Sequence, residues 1–171
     1  MAYNFLDPKI GVLNAPTESG TVQLHPLGQQ AAAHDTALGF ARFVYVCGSD
    51  VGTVGALVAY PGYTAIAMSA ALSESRMPLG VAAAILTATS HYGWVQFDGK
   101  ATNCFGTNSG HAIGAYLYPN ATAGQICSNT SAGNKIHGMY QYTSVASSSV
   151  ANSSLSVQMH NPLILGLVAS I

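Results

Sequence analysis

Five Lys and Arg and six Asp and Glu, 6% of 171 residues, are all the permanent charge this chain carries, while 49% of it is hydrophobic. Ordinary soluble domains carry about 25% charged residues, so the shortage limits what the chain can become. Disorder is excluded, because disordered chains are poor in apolar residues and rich in charge. A membrane-spanning helix is excluded as well. The apolar runs at 54–60 (VGALVAY), 79–86 (LGVAAAIL) and 162–171 fall far short of the ~20 residues a span requires. The expectation is one folded domain with a surface of Ser, Thr, Asn, Gln and Gly.

A formal net charge of −1 gives weak protection against association, and such a surface suits a chain that is permanently covered by neighbours. Lys9, Arg42, Arg76, Lys100 and Lys135 are scattered singly along the sequence, without the basic stripe that tracks phosphates. No nucleic acid and no membrane partner is expected. The N-terminus has neither a basic segment nor an apolar one of the signal-peptide kind. Cys47, Cys104 and Cys127 are odd in number and far apart, so they are expected as free thiols of a protein made in a reducing cytoplasm. The Asn-x-Ser/Thr triplets at Asn120, Asn129 and Asn152 are read as chance in so Ser/Thr-rich a chain.

Along the chain, residues 1–38 read as an extended arm. Pro8, Pro16 and Pro26, with Gly11, Gly20 and Gly28, interrupt it too often for regular structure. Within it, 21–24 is expected as a short strand and 29–38 as one or two helical turns. A β-rich domain follows over 39–171. Its expected strands are 40–47 (FARFVYVC), 54–60, 64–70, 78–86 and 92–97 (YGWVQF), the last ended by an Asp98-Gly99 turn. Segment 65–76 (AIAMSAALSESR) is rich in Ala, the best helix former, but its apolar positions miss helical spacing and a strand is expected. Further strands are expected at 113–118, 125–128, 136–143 and 154–160, with 144–154 (SVASSSVANSS) as a linker. These spacings favour an all-β fold, a small β-barrel or β-sandwich with an extended N-terminal arm and a second small β lobe after 120.

Phe43-Val44-Tyr45-Val46, then Pro78-Leu79-Gly80-Val81-Ala82, then Tyr92-Gly-Trp-Val-Gln-Phe-Asp-Gly-Lys100 follow one another in an order and spacing that resembles the decoration, or cement, proteins of tailed-phage heads. The likeness covers roughly residues 36–118. It implies a small β-rich module, often a trimer, bound to the major capsid protein where its subunits meet on the outer surface of the virion. Such a module makes the expanded shell harder to burst. Within the segment, Gln96 shares a face with Trp94 in an unbroken strand, so period two is imperfect, and a bulge near Gly93 is expected to repair it. Trp94 is expected in the core.

Little in the sequence suits catalysis. Asp7, Glu18 and Asp35 fall in or near the arm, Asp50 and Asp98 in expected turns, and Glu74 in a connection. Turn aspartates ordinarily bond the local backbone. His25, His34, His91, His111, His137 and His160 are dispersed, with His34-Asp35 as the adjacent His–carboxylate couple. Without HExxH or His-x-His, a metal site requires distant loops or a symmetry axis. The segment 106–110 (GTNSG) lacks the lysine of a phosphate loop and reads as a flexible turn. No catalytic, cofactor-binding or metal residue is assigned and no cofactor is expected. Two rival readings remain. One is a fibre-tip or adhesin module binding host glycans through Tyr116, Tyr118 and Asn120, and the other is a polysaccharide hydrolase.

Overall fold

A computed structural model describes residues 4–6, 16–17, 19–72, 76–107, 112–128, 134–143 and 151–164. The fold is all-β. Its strands are β1 (Asn4–Phe5), β2 (Gln30–Asp35), β3 (Gly39–Gly48), β4 (Leu57–Ala59), β5 (Thr64–Ala67), β6 (Met77–Ala82), β7 (Tyr92–Thr107), β8 (Tyr118–Pro119), β9 (Ile126–Cys127), β10 (Ile136–Gln141) and β11 (Ala151–Ile164). They join in one sheet rather than two stacked ones. No helix among the described residues is long and apolar enough to cross a membrane.

Five strands pair in a closed circuit. β3 runs parallel to β5, β5 pairs with β4, β4 with β6, β6 with β7, and β7 returns to β3. Val44, Val46, Val58, Ala65, Ala82, Val95 and Phe97 pack together from these strands, with Val51, Ala56 and Leu86 beside them. A ring of five strands is narrow, which is why Val and Ala dominate this cluster. At Gly80 a methyl group would stand 2.4 Å from a Val95 methyl.

Two further cores lie outside the ring. Leu57, Leu79 and Val81 turn away from it to join Ala101, Cys104, Ile126, Met139, Leu155, Val157 and Met159. Ala31, Ala33, Ala41, Phe43, Tyr45 and Trp94 form the third cluster. Strands β3, β4, β6 and β7 are therefore covered on both faces along part of their length. That is why residues 93–97 are all buried and no clean alternation marks them. Trp94, 2% exposed, is a core residue as expected.

Several local expectations are corrected. Residues 29–38 form strand β2 and the turn into β3, not helical turns. Gln30–Asp35 pairs along its whole length with β3, so the sheet begins inside the expected 1–38 arm. The QAAAHD pattern hides this because small Ala31 and Ala33 and the polar Asp35 occupy the inner face of a shallow core while Gln30, Ala32 and His34 face out. Residues 21–24 form no strand. The remaining described part of the arm is held to its own sheet. Gly20 bridges Tyr92, and the Gly28 N–H donates to the Tyr45 carbonyl at 2.8 Å. Asp98-Gly99 does not end the strand, because β7 continues to Thr107. The bulge lies there and not at Gly93. Opposite β3, the register slips by one residue between Gln96 and Asp98. The Gln96 Nε2 donates across it to the carbonyls of Asp98 at 3.2 Å and Lys100 at 2.8 Å, which satisfies the nitrogen of this fully buried amide, while its Oε1 has no hydrogen-bond partner among the described residues. Of 65–76, Thr64–Ala67 is strand and Ala70–Leu72 a 3-10 turn. The 113–118 strand reduces to a bridge at Tyr116 and β8. The 144–154 linker falls partly outside the described residues, and its last four residues open β11.

β11 changes partners along its length. It pairs with β7 up to His160 and with β6 at Leu163 and Ile164. Against β10 the register breaks between the Met139–Met159 and His137–Leu163 pairs, placing His160, Asn161 and Pro162 opposite Gly138. Asn161 adopts φ +46° there, a conformation that Asn tolerates better than most residues. Pro162 has no N–H to leave unpaired.

Candidate functional site

β2, β3, β7, β11 and β10 lie side by side and present one open face. One side carries Ala31, Ala33, Ala41, Phe43, Ala101, Val157, Met159 and Met139 into the cores. The other carries Gln30, His34, Phe40, Arg42, Asp98, Lys100, Gln158, His160, Tyr140 and Tyr142, all exposed or half-buried. Phe40 is 70% exposed, with its ring 4.8 Å from that of His34.

At the mouth of the five-strand ring this face dips into a hollow of about 270 Å³, lined by Gln30, Val44, Tyr60, Tyr63, Pro78, Phe97, Asn161, Pro162 and Leu163. Arg42 guards it. Its guanidinium lies 5.1 Å from the Phe97 ring centroid and donates to Gln30 Oε1 at 2.8 Å. Burial, helped by neighbouring Tyr63, pushes the Tyr60 hydroxyl up to about 12. The hydroxyl therefore stays protonated at physiological pH and acts as a neutral donor. The lining continues at Met77 and Ile164, beside Arg76. On the arm side the Tyr63 ring covers Gly28, where a methyl group would fall 2.4 Å from Tyr63 Cζ. Beyond it Val22, Leu24 and Leu27 point outward.

At the other end of the face, Tyr116, Tyr140, Gln158 and Lys100 stand directly opposite one another on neighbouring strands. The Tyr116 and Tyr140 ring centroids are 6.2 Å apart. The Lys135 ammonium lies 3.2 Å from the Tyr116 ring centroid, and that of Lys100 lies 4.3 Å from the Tyr142 centroid while donating to its hydroxyl at 2.8 Å.

The expected site residues are placed as follows. Tyr116 joins this tyrosine row, but the Asn120 amide is committed to Gln125 Oε1 at 2.7 Å and to the Ala121 N–H at 2.8 Å. The His34–Asp35 couple splits across β2. His34 faces outward to Phe40 while the buried Asp35 carboxylate accepts from the N–H groups of Ala37 and Leu38 at 2.7 and 2.9 Å. Asp98 sits 3.5 Å from His160. His25 is buried against Tyr45 and Trp94, and His91 Nδ1 lies 3.3 Å from the Thr87 hydroxyl. No group of three His, Cys, Asp or Glu side chains among the described residues is disposed to hold a metal ion. Cys47, Cys104 and Cys127 are free thiols. Asp7, Glu18, Glu74, His111 and most of the 106–110 segment lie outside the described residues.

The scattering of basic residues in the sequence does not survive folding. Strand register gathers Arg42, Lys100 and Lys135 onto the open face, with Asp98 as the described carboxylate among them. The hollow is not legible in the sequence; of the tyrosine row only Tyr116 is a candidate there, and the alternation of 136–143 (IHGMYQYT) is the signal that points to Tyr140 and Tyr142. No protein-family model, curated protein or solved structure matches this chain.

Proposed function

We propose that this chain is a non-catalytic structural protein that stabilises a tailed-phage head by binding the outer surface of the major capsid protein. The observation that carries the reading is the apolar hollow at the ring mouth, continuous with exposed Leu27 and the arm. An open apolar surface of this kind on a chain poor in charge is what a protein contact covers. Tyr60, Tyr63 and Leu163 form a socket for a bulky side chain of the capsid subunit, with Arg42 on the rim to orient it. Self-association, as a trimer, multiplies the contacts, since each weak attachment on a symmetric shell is repeated. The likeness of residues 36–118 to head decoration proteins supports the same reading.

The test is to add the purified chain back to expanded heads assembled without it. It should co-sediment with the heads and raise the temperature at which they release DNA. The variants Tyr63→Asp and Leu163→Asp, both at exposed positions, should stay folded and lose both effects. A chain that stays monomeric and never sediments with heads would refute the proposal.

A further inference from the structure

We infer that the hollow at the ring mouth and the groove beside it hold an extended acidic segment of the capsid subunit, whose apolar side chains fill the trough while its carboxylates bond Arg42 and Arg76. This rests on the capsid reading above and adds the chemistry of the segment recognised. The trough is longer than one side chain needs. Pro78 and Leu163 line both the hollow and a more open depression that runs on over Met77 and Ile164 to Arg76. Its floor is the seam where β11 pairs with β6 at Leu163–Pro78 and Ile164–Met77. In an extended peptide alternate side chains point the same way, roughly 7 Å apart, so two adjoining depressions suit residues i and i+2 of one segment.

The hollow is built ahead of its occupant. Among the described residues three non-glycine residues have positive φ, and two of them, Tyr63 at +65° and Asn161 at +46°, line the hollow. That conformation is rare for a bulky residue and persists where the surroundings hold it. Here the Tyr63 N–H donates to the Tyr60 carbonyl at 3.2 Å, and its ring lies against Gly28. A wall fixed in this way loses little freedom when a partner arrives.

Charge selects the partner. No Asp or Glu among the described residues lines either depression, and an arginine stands at each end. Arg42 gives one of its five guanidinium donors to Gln30, and neither arginine forms an ion pair with a described residue. Asp98, opposite Arg42 across β3 and β7, lies 3.5 Å from His160 instead. A guanidinium takes a carboxylate through two parallel N–H···O bonds, and beside an apolar trough an unpaired arginine leaves a neutral or basic segment worse bound. A second copy of this chain is a poor match. Of its described carboxylates Asp35 is buried and Asp98 faces His160, which leaves Asp50.

The test uses expanded heads assembled without the chain. p-Benzoylphenylalanine in place of Tyr63, and separately of Leu163, is irradiated on the heads, and the joined peptide is read by mass spectrometry. Both should join one stretch of the major capsid protein that carries Asp or Glu within a few residues of an apolar one. Binding of the unmodified chain to heads should weaken as salt rises. Arg42→Gln/Arg76→Gln should weaken it about tenfold or more at low salt and flatten the salt dependence, with unchanged far-ultraviolet circular dichroism. Binding that ignores both salt and the double variant, or a cross-linked stretch without carboxylates, would overturn the acidic segment and leave capsid attachment standing. Cross-links between copies of this chain would assign the trough to self-association and overturn it likewise. A chain that never binds heads would take both readings down.

Discussion

Substituting Gly55 by alanine separates two costs that are usually confounded. Gly55 has φ +83°, and a methyl group there would stand 2.1 Å from the Asn103 carbonyl oxygen, in the backbone of β7. Ordinary contact begins at 3.4 Å, so loop and strand must part by more than an ångström. The same glycine donates to the Ala82 carbonyl and accepts from the Phe105 N–H, both at 2.8 Å, and that separation breaks both bonds. Left-handed backbone costs a non-glycine residue about 1–2 kcal/mol, and each lost hydrogen bond about 0.5–1.5 kcal/mol. Gly55→Ala should therefore destabilise by roughly 2–5 kcal/mol. Gly39 is the control. It has φ +82° with nothing within 4 Å of the added methyl, so Gly39→Ala should cost about 1–2 kcal/mol, the backbone term alone. Urea unfolding followed by Trp94 fluorescence gives both values. The two variants should differ by about 1–3 kcal/mol, so with slopes of about 1–3 kcal/mol/M their midpoints should lie at least about 0.3 M apart. Equal midpoints would refute the claim that the 51–56 loop is clamped against β7.

Three further outcomes follow from the cores. Leu155, fully buried among Val157, Met159 and Ala101, should cost about 2–5 kcal/mol on change to alanine, measured by the same urea series. Asp35→Ala removes the acceptor for two backbone N–H groups in the β2–β3 turn and should cost about 1–3 kcal/mol, with hydrogen exchange accelerating first at Ala37 and Leu38. Burial pushes the Cys104 thiol up to about 12, whereas the unfolded chain loses that proton near its ordinary value of 9.0. The contribution of this thiol should hold below pH 9 and be lost as pH rises from 9 towards 12, with Tyr60, raised from 10.0 to about 12, adding to the loss above pH 10. Cys104→Ala should flatten that slope, and an unchanged slope in urea midpoints across this range would refute the account.

The all-β class was legible because the β-branched and aromatic runs at 40–47 and 92–97 favour a pleated, half-buried surface, and both are strands. Trp94 was legible as core for the same reason. The boundary of the sheet was not, because β2 owes its place to β3 and not to its own composition, since QAAAHD has little β propensity. The Asp98-Gly99 dipeptide reads as a turn locally, yet pairing with β3 on one side and β11 on the other carries the strand through it as a bulge. The candidate site was hidden more deeply. Arg42, Lys100 and Lys135 share a face only through the pairings of five strands, and no spacing in the sequence encodes register between strands so far apart.

The order in which the chain is made gives the closed circuit a further meaning. All of its pairings are complete by Gly99, before β10 and β11 exist. The circuit can therefore form on the ribosome while the outer edge of β7 is still bare. Until β11 arrives, that edge is a template for strands of other chains. Slow or truncated synthesis should thus send this protein into aggregates through an intermediate whose first half is already native.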